Sequence, residues 1–425
     1  MPYVPNFLPS TNAPLFKNGP QWPPGVSFTI SVLGLPVATV DVTQMGFCGG
    51  MSFLTRDIYQ AGTPQLRSPD ASRIPLALAG YLLQRLTQSF DGPAVVNRWL
   101  SLTQALDHDT VLGGPGVFHQ TVDECPNIMA DIELGRLCPI GVVLAHSWNP
   151  ADVFNNHVEL VWGHEISGSQ LTLHTYDCNY PESDRITIQL DIGSPTPAGV
   201  ITTTGTDGSN LPASIGGPVG QIRGFFRLPY TFADPSPAYI DDADATASVL
   251  PPLQMLPSAT AYVMITARNK GSTTWSRAAG YRLGSQAPQD STTWGTSRVD
   301  LPPSTLSIDP EQAAVFQFQA IAPATPGSYN FCWQMLREQV AWFGAASPSF
   351  AVSVGVNSPL CQQLHQQYLN LTGQLANVQD QLDNLDPNDH STRTLRMYLY
   401  RQANALQLQI SNLEAEQLTN GCAPG

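Results

Sequence analysis

Three residues of this chain carry the chemistry of nucleophilic acyl transfer in a workable order. They are Cys48 in MGFCGGMSFLTRDIY (45–59), His157 in FNNHVELVWGH (154–164) and Asp177 in LTLHTYDCN (171–179). A thiol attacks a carbonyl as the thiolate, which a helix N-terminus favours through its unpaired N–H groups and its dipole. It also needs a base, and a third group to hold that base in orientation. Apolar residues recurring at three and four after Cys48 predict a helix that opens on the cysteine, and Gly49 and Gly50 predict close approach of a substrate backbone. The β-rich runs around His157 and Asp177 predict adjacent antiparallel strands that set the two side by side. Asn179, two residues beyond Asp177 and on the same side of a regular strand, is the alternative third member.

The elements that must position these residues follow from the periodicity. Ile74 to Leu106 reads as two helices parted at Asp91–Pro93, and from Ile140 the pattern turns to short strands: IGVVLAHSW, HVELVWGHEI, LTLHTYDC and RITIQLDI. Residues 193–220, rich in glycine, threonine and proline, read as a long loop, after which 222–232 resumes strand chemistry. The expected architecture is therefore multidomain α+β: an α+β domain over 1–235, a linker over 236–257, a β-sandwich over 258–356 and an antiparallel helical hairpin over 357–425.

The three motifs GFCGGMSFLTRDIY, NNHVELVWGHEI and LTLHTYDCNYPESDRITIQL, in that order, resemble a bacterial papain-like cysteine peptidase family of the bacteriocin-processing type. The resemblance spans about residues 5–232, with PSTNAPLFKNGPQWPP near its start and GFFRLPY near its end. It implies Cys48 as nucleophile, His157 as base, Asp177 as the group holding the imidazole, a peptide or isopeptide substrate, and no cofactor. Papain-like enzymes usually place an oxyanion-hole glutamine six residues before the cysteine. Val42 stands there, and Gln44, four before, is the candidate for oxyanion support.

Trp275, Trp294, Trp333 and Trp342, in NKGSTTW, DSTTWG, FCWQML and VAWFG, resemble the four-tryptophan immunoglobulin-like domain of selective-autophagy cargo receptors and bacterial fusions. That resemblance implies a protein-binding module, set against the plainer reading of four core tryptophans.

In the last segment Leu364, Tyr368, Leu371, Leu375, Val378, Leu382 and Leu385 step alternately by four and three, the seam of a coiled coil. After DPND (386–389), Leu395, Leu399, Ala403, Leu406, Ile410, Leu413 and Leu418 return with similar spacing. An antiparallel hairpin then sets Leu382 opposite Leu399, Leu375 opposite Leu406, Leu371 opposite Ile410 and Tyr368 opposite Leu413. Cys361 and Cys422 fall together at its open end, where a disulfide is predicted. The hairpin offers a surface for docking or for self-association into a homo-oligomer.

Composition narrows the partners. Nineteen basic against 33 acidic residues give a net charge of −14, and Lys17 and Lys270 are the only lysines. Nucleic acid and anionic membrane are poor partners for such a surface. No apolar run is long enough to insert in a membrane, and the first residues lack the basic and apolar blocks of an export signal. The predicted disulfide favours an extracellular or cell-surface setting all the same. Cys125, Cys138, Cys178 and Cys332 show no pairing pattern, and His119, His146, His164 and His174 show no metal-ligand spacing and read as packed or surface residues, so no metal is expected. The competing functional class is a catalytically inactive interaction or surface-assembly protein that keeps the peptidase fold.

Overall fold

The computed structural model describes residues 2–18, 27–32, 35–41, 46–90, 92–111, 114–193, 199–204, 221–303, 306–355, 359–385 and 392–422. The chain is mixed α+β and divides into two compact units. The first comprises Met1–Asp241 with Lys270–Thr274 and Asp309–Glu311, and the second takes the rest.

The first unit opens with a short helix α1 (Pro9–Asn12) and a hairpin of β1 (Ser27–Val32) and β2 (Leu35–Asp41). Four helices follow: α2 (Cys48–Ala61), α3 (Leu76–Gln88), α4 (Pro93–Gln104) and α5 (Val117–Glu133). Helix α2 ends at Gly62, whose positive φ of 65° closes the last turn by returning its N–H to the Ile58 and Tyr59 carbonyls. A seven-stranded antiparallel sheet completes the unit. Its members are β3 (Cys138–Val143), β4 (His157–Ser167), β5 (Gln170–Tyr176), β6 (Thr187–Asp191), β7 (Ile201–Thr204), β8 (Gln221–Ile222) and β9 (Gly224–Arg227), in spatial order β8-β7-β6-β5-β4-β3-β9. Residues 201–204, expected in a loop, thus pair with β6 as an added strand.

Helices and sheet share an apolar core that joins Met51, Leu54 and Ile58 of α2 to Leu78 and Leu82 of α3, Ile140 of β3 and Leu160 of β4. Buried within it is a polar cluster. Asp57 of α2 accepts from Arg85 Nη2 at 2.9 Å, from the Tyr230 hydroxyl at 2.6 Å and from the Tyr81 hydroxyl at 3.0 Å. Asp57 and Arg85 are fully buried, so each charge depends on the other.

The glycines after Cys48 are packed closely on their Cβ sides. A Cβ on Gly50 would lie 2.2 Å from the Leu82 carbonyl oxygen, and one on Gly49 would lie 2.3 Å from Ser89 Oγ. Both are buried; Gly50 lets the α2 backbone approach the α3 backbone at Leu82, and Gly49 makes room for the side chains of Ser89 and Leu86.

The second unit holds two sheets over a common apolar core. One has the order β10-β12-β15, from β10 (Ala243–Val249), β12 (Thr260–Asn269) and β15 (Ala313–Ile321). The other runs β11-β18-β16-β13-β14, from β11 (Gln254–Met255), β13 (Tyr281–Gln286), β14 (Arg298–Asp300), β16 (Gly327–Arg337) and β18 (Phe350–Val354), with β17 (Ala341–Phe343) paired to β16. All pairs are antiparallel except β11 with β18. The expected linker is corrected here: residues 243–249 and 254–255 are sheet strands, and the division between units falls at Asp241. The small buried residues Ala243 and Ala245 carry the inward face of β10, which is why its hydropathic signal is faint.

Trp275, Trp294 and Trp333 are fully buried in this core, whereas Trp342 is partly exposed, with the Arg298 guanidinium over its ring at 5.0 Å. Three of the four tryptophans are thus core residues.

The C-terminal helical pair consists of α6 (Pro359–Asp383) and α7 (Arg393–Thr419). Leu364, Val378, Leu399, Leu406, Ile410 and Leu413 are buried along the seam, and Cys361 and Cys422 form a disulfide with a Cα separation of 5.2 Å. Leu418 departs from the expected seam: it is 60 % exposed, and Gln417 is buried in its place. A residue four beyond Leu413 returns to the same helix face, whereas one five beyond turns away from it.

Candidate functional site

Cys48 is the first residue of α2, half-buried and unbridged, with the free N–H groups of the first helical turn around it. The other free cysteines, Cys125, Cys138, Cys178 and Cys332, are buried, and burial pushes each of their thiols up, Cys125 to about 12. Chemical access therefore singles out Cys48.

His157 opens β4, and Asp177 follows directly on β5, the neighbouring antiparallel strand. His157 Nε2 lies 2.8 Å from Asp177 Oδ1, and His157 and Cys48 line one cavity. Burial disfavours the imidazolium, but the Asp177 charge and hydrogen bond, with Cys48 beyond them, outweigh it and hold the His157 pKa well above its usual 6.5. Asn179 Nδ2 is 3.4 Å from the same Nε2, and its backbone N–H donates to Asp177 Oδ1 at 2.9 Å. Asp177 and Asn179 thus both reach the ring, Asp177 at the shorter distance, and Asn179 also holds Asp177. Gln44 lies outside the described residues.

Two asparagines that sequence reasoning missed fix the frame. Asn18 Oδ1 accepts from the Phe47 N–H at 2.8 Å, Asn18 Nδ2 donates to Asn179 Oδ1 at 3.2 Å, and the Asn18 N–H donates to the Cys178 carbonyl at 2.9 Å. Asn156 Oδ1 accepts from the backbone N–H groups of Leu144 and Ala145 at 2.8 and 2.9 Å, while its Nδ2 donates to Thr103 Oγ1 at 3.0 Å. The residue before the nucleophile and the residue before the base are each pinned by an amide side chain.

Two cavities meet at His157. One, of about 90 Å³, lies beside Cys48 and has apolar walls from Leu86, Phe90, Trp99, Val153 and Phe154. The other, of about 180 Å³, shares Asn156 and His157 with the first and reaches Glu159, Asp177 and Thr203. Burial, and then the Asp177 charge, raise the Glu159 carboxyl to about 7.

Ligand atoms of His157, Asp177 and Cys178 lie within 4.8 Å of one another, the one such grouping among the described residues. The His157 Nε2 in it is already bonded to Asp177, and burial with the Asp177 charge keeps the Cys178 thiol protonated. Of the remaining histidines, His119 pairs with Asp109 at 2.9 Å, His164 is buried and His174 lies 3.2 Å from Glu165. No helix among the described residues is long and apolar enough to cross a membrane.

No protein-family model and no curated protein matches the chain. Among solved structures, a CARDB domain from Pyrococcus furiosus aligns at 16% identity over 27% of this chain and 97% of its own, with a TM-score of 0.19. AvmM, described as catalysing macrocyclization in alchivemycin A biosynthesis, aligns at 12% identity over 28% of this chain and 93% of its own, with a TM-score of 0.19. A protein of unknown function from Porphyromonas gingivalis aligns at 13% identity over 46% and 88%, with a TM-score of 0.14. At these scores the likenesses assign neither fold nor function.

Proposed function

We propose that the first unit is a papain-like cysteine peptidase or acyl-transfer domain acting on peptide or isopeptide bonds. The observation that carries the reading is the array of Cys48, His157 and Asp177, with the thiol at a helix N-terminus, the imidazole on the same cavity, and the Asp177 carboxylate 2.8 Å from the imidazole. In this mechanism His157 and Cys48 form an imidazolium–thiolate pair, and Cys48 Sγ attacks the carbonyl. His157 gives its proton to the leaving amine, and water or an acceptor amine then resolves the thioester. Asp177 keeps the imidazole in the working tautomer and balances its charge.

The second unit is read as an immunoglobulin-like sandwich of the four-tryptophan type carrying a helical hairpin. With Trp275, Trp294 and Trp333 in the core, protein partners are assigned to the outer faces of this unit and of the hairpin. The Cys361–Cys422 disulfide supports an extracellular or cell-surface setting.

Iodoacetamide labelling near neutral pH tests the central reading. Cys48 is expected to react faster than the other four free cysteines and at least tenfold faster than Cys48 in a His157→Ala variant. Labelling of Cys48 at the same rate in both proteins would overturn the paired nucleophile.

A further inference from the structure

The cavity of about 180 Å³ beside His157 holds two polar groups for which the fold supplies no partner. Glu159 is 4 % exposed and Thr203 is 3 % exposed, and both line the cavity. Glu159 Oε2 and Thr203 Oγ1 make no hydrogen bond. Thr175 stands close enough to favour the Glu159 charge, yet its own hydroxyl is also without a bond. A buried carboxyl without a partner is costly as the anion, and that cost is met by keeping its proton or by a donor or cation that completes it.

The rest of the lining states what would complete it. Val142, Leu144 and Ile222 give apolar walls, and the acidic groups are Glu159 and Asp177. Asp177 is already balanced by His157. Glu159 Oε2 has no hydrogen-bond partner, and once its carboxyl ionises above about pH 7 it places a negative charge at one end of a cavity with an apolar side.

We propose that this cavity is a substrate subsite for an alkylammonium group, the side chain of a lysine in the peptide or isopeptide substrate. Methylenes of such a side chain cover Val142, Leu144 and Ile222, while its ammonium donates to Glu159 and Thr203. The chain has two lysines of its own, so a lysine-directed activity meets few sites on the protein itself. The inference rests on the peptidase reading for the identity of the substrate, and on the cavity alone for the cation.

Binding and turnover separate the two. In the full chain carrying Cys48→Ala, titration with n-butylammonium chloride at pH 8 is expected to give saturable binding by calorimetry. Potassium chloride at equal ionic strength is expected to give none. Glu159→Gln should weaken the amine at least tenfold and Thr203→Val by about threefold. Thr203→Ile, which fills the cavity and keeps the carboxylate, should abolish binding and stands in for Glu159→Gln if that variant does not fold. Equal binding of potassium, or no binding because ordered water satisfies Glu159, overturns the subsite. With Cys48 intact, peptides carrying lysine are expected to be cleaved at least tenfold better in kcat/KM than their norleucine counterparts. Cleavage without that preference sinks the subsite and leaves the peptidase. Butylammonium binding with no cleavage of any peptide sinks the peptidase and leaves the subsite.

Discussion

Asn18 receives the backbone N–H of Phe47, the residue immediately before the candidate nucleophile, at 2.8 Å. Because the same amide donates to Asn179 at 3.2 Å, one side chain ties the start of α2 to the turn that carries Asp177. Asn18→Ala leaves the buried Phe47 end without its acceptor and is expected to lower kcat by about 10- to 100-fold with little change in KM. Asn18→Asp keeps the acceptor, loses the donor, and should fall between. An unchanged kcat in Asn18→Ala would remove Asn18 from the positioning frame.

The pH dependence of stability carries a sign set by Glu159. Its carboxyl titrates near 4.5 when unfolded and is raised to about 7 in the fold, so the folded chain keeps a proton that the unfolded chain has released. The stability tied to that proton is fully present below pH 4.5 and is lost as pH climbs to about 7, a difference on the order of 3 kcal/mol. His157, also raised, adds a loss of the same sign above pH 6.5. Glu159→Gln is therefore expected to match the wild type at pH 4 and exceed it at pH 8 in urea unfolding. A Glu159→Gln variant weaker than wild type at pH 8 contradicts this account.

The Asp57–Arg85 pair is fully buried and joins α2, the helix that bears Cys48, to α3. Asp57→Ala strands a guanidinium in the core and should cost about 3–5 kcal/mol in chemical denaturation, whereas replacing both residues by apolar ones should cost less than either single change. Equal and additive single losses would show that the two charges are not coupled.

The Cys361–Cys422 bond closes a loop across a sequence separation of 61 residues. Replacing both cysteines by serine should lower hairpin stability by up to about 4 kcal/mol, read as earlier loss of helical circular dichroism on heating. Identical melting of the two proteins would mean that the seam alone holds the helices.

Legibility from sequence followed the strength of local patterns. Cys48, His157 and Asp177 could be read because each sits at the edge of a strongly periodic helix or strand, and the hairpin because its leucines repeat over many turns. Asn18 and Asn156 could not: they act through backbone N–H groups far away in sequence, which leaves no periodic trace. Gly49 and Gly50 show close approach as a sequence property, but only packing reveals Leu82 and Ser89 against their Cβ sides. β10 was hidden because alanines supply its inward face. Gln417 was hidden because a polar residue rarely announces burial.

The crossing of α2 on α3 also bears on how the site can change. Leu86 of α3 lines the apolar cavity beside Cys48, and a Cβ on Gly49 would come within 3.1 Å of its Cδ1. One residue therefore belongs both to the wall of that cavity and to the bed on which the candidate nucleophile's helix rests. Under the proposed acyl-transfer reading, a change at Leu86 that reshapes the cavity also reshapes the seat of Cys48, so substrate range and rate would change together. Val153 and Phe154 line the same cavity from the turn before β4. Diversification of specificity that spares turnover would accumulate there first.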